Sequence, residues 1–149
     1  MGINDAELFL THSDNLGATW SEPRLPWPDG QDGYGVFASI SAGIKGRLFL
    51  YGMRIPITTP GESFWQDQNQ GIKQNELFFS SSEDDGRSWS PPRTIPMQSS
   101  GSAEAPGALC ITDDNVWLAP YAPYNTFDTN LRVQRNRVLS VGATALLRP

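Results

Sequence analysis

The chain has 149 residues, with 16 acidic against 11 basic side chains and a net charge of −5, which argues against a nucleic-acid footprint or a polybasic membrane patch. Charged residues reach only 18% while aromatics reach 11%, and 14 glycines and 12 prolines are spread along the chain, a composition that disfavours long helices. One cysteine excludes an internal disulfide framework and a cysteine-rich metal site, and the single histidine leaves no zinc cluster, so no metal or other cofactor is expected.

The first ten residues carry no basic run and no apolar core of signal-peptide length, and no stretch reaches membrane-spanning length. The expectation is a chain without an export signal, cytoplasmic by default. Short hydrophobic runs bounded by Gly, Asp-Asp and Pro then predict strands throughout. Residues 6–13 form the first of these, and "SDNLGATW" follows as a turn. Residues 34–43, "YGVFASISAG", and 46–53, "GRLFLYGM", come next. A long insertion spans residues 54–73. "ELFFSSS" (76–82), a second turn "SEDDGRSW" and "RTIPM" (93–97) follow. The last strands are "PGALCIT" (106–112), with Cys110 expected as a buried small hydrophobe, then "VWLAPYA" (116–122) and "VGATALLR" (141–148). The final two are separated by an insertion over 123–140. Loops of that length are uncommon unless functional.

Residues 6–24 align with 75–93 with 9 identities in 19 positions, at an offset of 69, though the first position of the second window pairs Asn75 with Ala6. The same offset carries Leu48, Phe49 and Leu50 onto Trp117, Leu118 and Ala119, and Glu76, Leu77 and Phe78 onto Ala145, Leu146 and Leu147. The chain over residues 1–149 therefore reads as about two copies of one unit of four antiparallel strands. Stripped of its insertion, that unit is about 50 residues, close to the length of a propeller blade. At each turn a carboxylate or carboxamide accepts backbone N–H groups, glycine takes positive φ, and the tryptophan covers the hairpin and fills space between neighbouring sheets. Asn15 occupies the place of Asp84, a swap that suits a turn acceptor and not a catalytic acid.

The pattern Ser13/Asn15/Gly17/Thr19/Trp20 and Ser82/Asp84/Gly86/Ser88/Trp89 resembles the Asp-box, or BNR repeat, of sialidase-like β-propellers. The resemblance implies an all-β fold of about two four-stranded blades per chain. It also implies that the boxes are structural and lie opposite the ligand-binding face. The two insertions and the lead-in to each first strand would rim that face. Family sialidases use an arginine triad, a Tyr nucleophile paired with Glu, and an Asp acid/base. Glu104 in "SAEAPGAL" is the candidate catalytic residue, and Arg54 in "MRIP" resembles the element that carries the first family arginine. Trp65 in the first insertion, and Tyr121, Tyr124 and Asp128 in "YAPYNTFD", combine rings with polar donors and are candidates for ligand contact.

Two blades cannot close a ring, whereas rings in this family have about six. A homotrimer with shared strands would supply them, and a piece of a longer protein is the other reading. Three functions stay open: a sialidase-like glycoside hydrolase or a remnant of one, a non-catalytic carbohydrate-binding propeller or lectin, and a structural fragment without ligand.

Overall fold

The computed structural model describes all residues except 1, 30, 32, 67–70, 98–100, 106, 127–142 and 148–149, with backbone only at 44 and over 123–126 and 143–147. The protein is all-β. Its first sheet is an antiparallel meander of β1 (Tyr34–Ala42), β2 (Leu48–Pro56), β5 (Glu76–Ser82) and β6 (Arg93–Ile95), in the order β1-β2-β5-β6. Between β2 and β5 the chain makes a small hairpin of β3 (Trp65–Gln66) and β4 (Gly71–Ile72). The second sheet runs β10-β9-β7, from β7 (Gly101–Glu104), β9 (Trp117–Thr126) and β10 (Ala143–Leu147), with β8 (Cys110–Ile111) also paired to β9. Among the described residues no helix is long and apolar enough to cross a membrane.

Alternation along the central strands builds two cores, one on each face of the first sheet. Phe49 and Tyr51 of β2, Leu77 of β5 and Ile95 of β6 face the second sheet and meet Ala103, Leu109, Trp117, Ala119 and Tyr121. Phe49 and Trp117 pack edge to face, their centroids 4.7 Å apart. Tyr51 Oη donates to the Pro120 carbonyl at 2.7 Å, so the buried phenol is satisfied across the sheets. Leu50 and Phe78 point the other way, into a core with Trp27, Val36 and Trp89, where Leu8 and Leu10 also pack. These last two belong to an N-terminal hairpin closed by reciprocal hydrogen bonds between Leu10 and Arg24. Gly52 marks a close approach: a Cβ there would sit 1.9 Å from the Phe37 carbonyl oxygen of the neighbouring strand.

Several expectations need correction. The strand expected over 106–112 is shortened to β8, and a further strand, β7, precedes it, both on β9, with a bulge between Ser102 and Ala103. Pro106, which has no N–H to give a ladder, lies in the sequence between them. Glu104 is therefore the last residue of β7, with β8 following it in the chain. Cys110 is exposed, not buried. The first insertion starts later, because β2 continues to Pro56, and β9 continues to Thr126. Within the second sheet, β8 keeps the 69-residue correspondence: Cys110 faces Leu118 and Ile111 faces Trp117, as Ser41 faces Phe49 and Ala42 faces Leu48. β10 does not keep it. Ala143 faces Tyr121, whereas Phe78 faces Gly52, a shift of four residues from the correspondence.

Candidate functional site

The two octets fold alike. In the first, Ser13 Oγ accepts the Gly17 amide at 2.8 Å, Asn15 Oδ1 accepts the Thr19 amide at 2.9 Å, and Asn15 Nδ2 donates to Thr19 Oγ1 at 2.8 Å. In the second, Ser82 Oγ accepts the Gly86 amide at 2.8 Å, Asp84 Oδ1 accepts the Ser88 amide at 2.8 Å, and Ser88 Oγ donates to Asp84 Oδ2 at 2.6 Å. Gly17 and Gly86 have φ of 86° and 82°, the left-handed region that glycine enters without strain. The Ser88 hydroxyl and amide hold the Asp84 carboxyl down to about 2 from its ordinary 3.8. Each acid or amide is engaged by hydrogen bonds of its own turn, as a turn-forming acceptor is. Trp89 is buried and donates Nε1 to the Gly86 carbonyl. Trp20 departs from expectation: it is 64% exposed, because among the described residues no neighbouring sheet covers the outer side of the first hairpin.

At the opposite end of the first sheet, four side chains line up across its strands on one face. Arg54 donates from Nε to Glu76 Oε2 at 2.9 Å, and from Nη2 to the same oxygen at 2.8 Å and to Thr94 Oγ1 at 3.2 Å. Its guanidinium lies 4.5 Å over the Tyr34 ring. The charge of Arg54 is thus answered within the protein, while among the described residues Nη1 makes no hydrogen bond.

Arg54 also lines a cleft of about 130 Å³ between this face and the segment leading into β1. Trp27, Phe78 and Trp89 wall it with rings, and Asp29 and Gln31 add polar atoms. Trp27 Nε1 is already committed to the Ser90 carbonyl at 2.8 Å, so Trp27 offers the cleft only its ring. Gln31 Nε2 donates to the Leu8 carbonyl at 3.2 Å, but Gln31 Oε1 is buried and, among the described residues, accepts no hydrogen bond. A buried acceptor without a donor is costly unless something supplies one. Beyond Glu76 lies a second depression of about 530 Å³ bordered by Gln66, Lys73 and Gln74. There Lys73 donates to Glu62 at 2.6 Å and holds that carboxyl below its usual range.

The sequence-predicted residues are not brought together as one site. Arg54 is at the cleft. Trp65 opens β3 in the first insertion, half-buried. Glu104 is half-buried beside Ala103, whose amide and carbonyl are both held by the Asn75 side chain at 2.9 Å. Among the described residues Glu104 makes no hydrogen bond to a tyrosine. Tyr121 is 3% exposed in the core between the sheets, so it cannot stand on a ligand-contacting rim. Its position on the inward side of β9 is the reason, since every second residue of that strand faces the first sheet. Tyr124 lies in β9 with its backbone alone described, and Asp128 lies outside the described residues. Among the described residues no three His, Cys, Asp or Glu side chains gather to hold a metal ion.

Sequence reasoning named the lead-in to the first strand as part of the rim but singled out none of its residues. Trp27, Asp29 and Gln31, in "WPDGQD", are those residues. A tryptophan followed by alternating polar groups just before a strand was the available signal. Comparison with protein-family models, with curated proteins and with solved structures finds no match.

Proposed function

We propose that the chain is a segment of an Asp-box β-propeller that binds a neutral sugar residue, without cleaving it, in the cleft between Trp27 and Arg54. The observation that carries the reading is the pairing of Arg54 with Glu76 beside the unpaired Gln31 Oε1. An arginine whose charge is already answered has little attraction left for the carboxylate of a sialate. Its uncommitted Nη1 hydrogens, the Gln31 acceptor and the Asp29 carboxylate suit hydroxyl groups. Apolar rings beside a few placed polar groups are the usual construction of a small-molecule site. A cavity of about 150 Å³ accommodates benzene, so a cleft of about 130 Å³ matches one six-membered ring.

The matched hydrogen bonds of the two octets support the Asp-box reading, and the meander β1-β2-β5-β6 supports the blade. Self-association, with a homotrimer completing a six-bladed ring, belongs to the same proposal. Glycan-array binding with no turnover of a fluorogenic sialoside is the expected outcome. Sialoside hydrolysis abolished by Glu104→Gln would establish the hydrolase instead, and silence in both assays would leave a structural fragment.

A further inference from the structure

We infer that a second copy of the chain docks head to tail on this one, with the N-terminal hairpin of one copy against the Arg93 edge of the other and the Arg93 guanidinium donating to the carbonyls of Gly17 and Ala18. The inference rests on the blade reading proposed above and is independent of its ligand.

One chain already makes this contact once. Arg24, at the closing pair of the N-terminal hairpin, donates from Nη1 to the Arg87 carbonyl at 2.8 Å and from Nη2 to the Gly86 carbonyl, capping the second turn. On the receiving sheet, Phe78 and Trp89 are 0% and 8% exposed, covered from the hairpin side by Leu8 and Leu10. The members of this interface have counterparts 69 residues away in the sequence. The pair Leu10–Arg24 matches Phe79–Arg93, and Phe9 and Trp20 match Phe78 and Trp89.

The counterparts on the outer side of the N-terminal hairpin, and Arg93, are uncovered, whereas Leu77 and Phe79 pack toward the second sheet. Phe9 is 51% exposed, Trp20 64%, and Leu16 at the turn tip fully exposed, a cluster of large apolar side chains on the outer side of one hairpin. Arg93 is exposed, its guanidinium 5.5 Å from the Phe79 ring, and among the described residues it reaches no carbonyl. Among the described residues β10 is the last strand of the second sheet and pairs on one side only, with β9. One surface therefore carries the rings and the turn carbonyls, the other carries the arginine, and their assembled form is visible inside the chain. Because the two patches differ, the contact is heterologous: each copy gives a hairpin to one neighbour and an arginine edge to another.

Light scattering without any sugar present tests this apart from ligand binding. The wild-type chain is expected above the single-chain mass of 16.4 kDa. Trp20→Lys and Arg93→Glu, both at exposed positions and each verified as folded by thermal melt, should fall to that mass. An equimolar mixture of the two should return to twice it, because each variant keeps the half that the other has lost. A wild-type chain that stays at single-chain mass, variants that keep the wild-type mass, or a mixture that stays single would each overturn the inference.

Discussion

Asp84 takes both the amide and the hydroxyl of Ser88, one on each carboxylate oxygen, at 2.8 Å and 2.6 Å. Because the folded group titrates near 2 and not at its ordinary 3.8, it stabilises the fold fully above the higher value and loses that contribution as pH falls through the lower. Urea midpoints measured from neutral pH downward should therefore drop over that interval. Asp84→Asn, which installs the arrangement already present at Asn15, should flatten the drop while keeping the fold. Equal acid sensitivity in both proteins would contradict the assignment.

The bond from Tyr51 to the Pro120 carbonyl ties the two sheets together in the core. Tyr51→Phe leaves that buried acceptor without a donor, at a cost of about 1 kcal/mol, which for a chain of this size lowers Tm by about 2–4 °C. Burial pushes the Tyr51 phenol well above its ordinary 10.0, with Tyr121 adding to the shift. Stability that depends on the neutral phenol is thus complete below that ordinary value and falls as pH rises beyond it. Thermal melts from neutral to alkaline pH check both points, and Tyr51→Phe should lose part of the alkaline sensitivity.

Two glycines separate crowding from backbone strain. At Gly52 a Cβ would strike the Phe37 carbonyl oxygen at 1.9 Å, between two central strands that cannot move apart without breaking their ladder. Gly52→Ala should cost more than about 4 kcal/mol and abolish soluble expression. At Gly17 the nearest obstacle is Trp20 at 3.8 Å, and only the φ of 86° opposes a side chain. Gly17→Ala should cost about 1–2 kcal/mol and leave a folded protein. Chemical denaturation of the two variants distinguishes these effects.

Strand type and the order of the first sheet were legible because hydrophobic runs and Gly, Asp and Pro stops are local signals, and both turns carry their hydrogen-bonding groups in the octet itself. β7 was not legible, since "GSAE" carries no hydrophobic run and its strand form is decided by pairing with β9. The burial of Tyr121 was missed for a similar reason. Which of two alternating faces turns inward depends on the sheet opposite, and "YAPYNTFD" reads equally well either way. Arg54 was identified, but its partner Glu76 sits 22 residues away and is brought beside it only by β2–β5 register. That pairing redirects the reading from an anionic sugar toward a neutral one.

The central claim is tested most directly by isothermal titration of the wild-type chain and of Gln31→Ala with a panel of neutral methyl pyranosides and with a sialoside. The account predicts that a neutral sugar binds without turnover, that the sialoside binds no better, and that Gln31→Ala weakens binding about tenfold, the equivalent of about 1.4 kcal/mol. Absence of binding across the panel, or a sialoside preferred and cleaved, would contradict it.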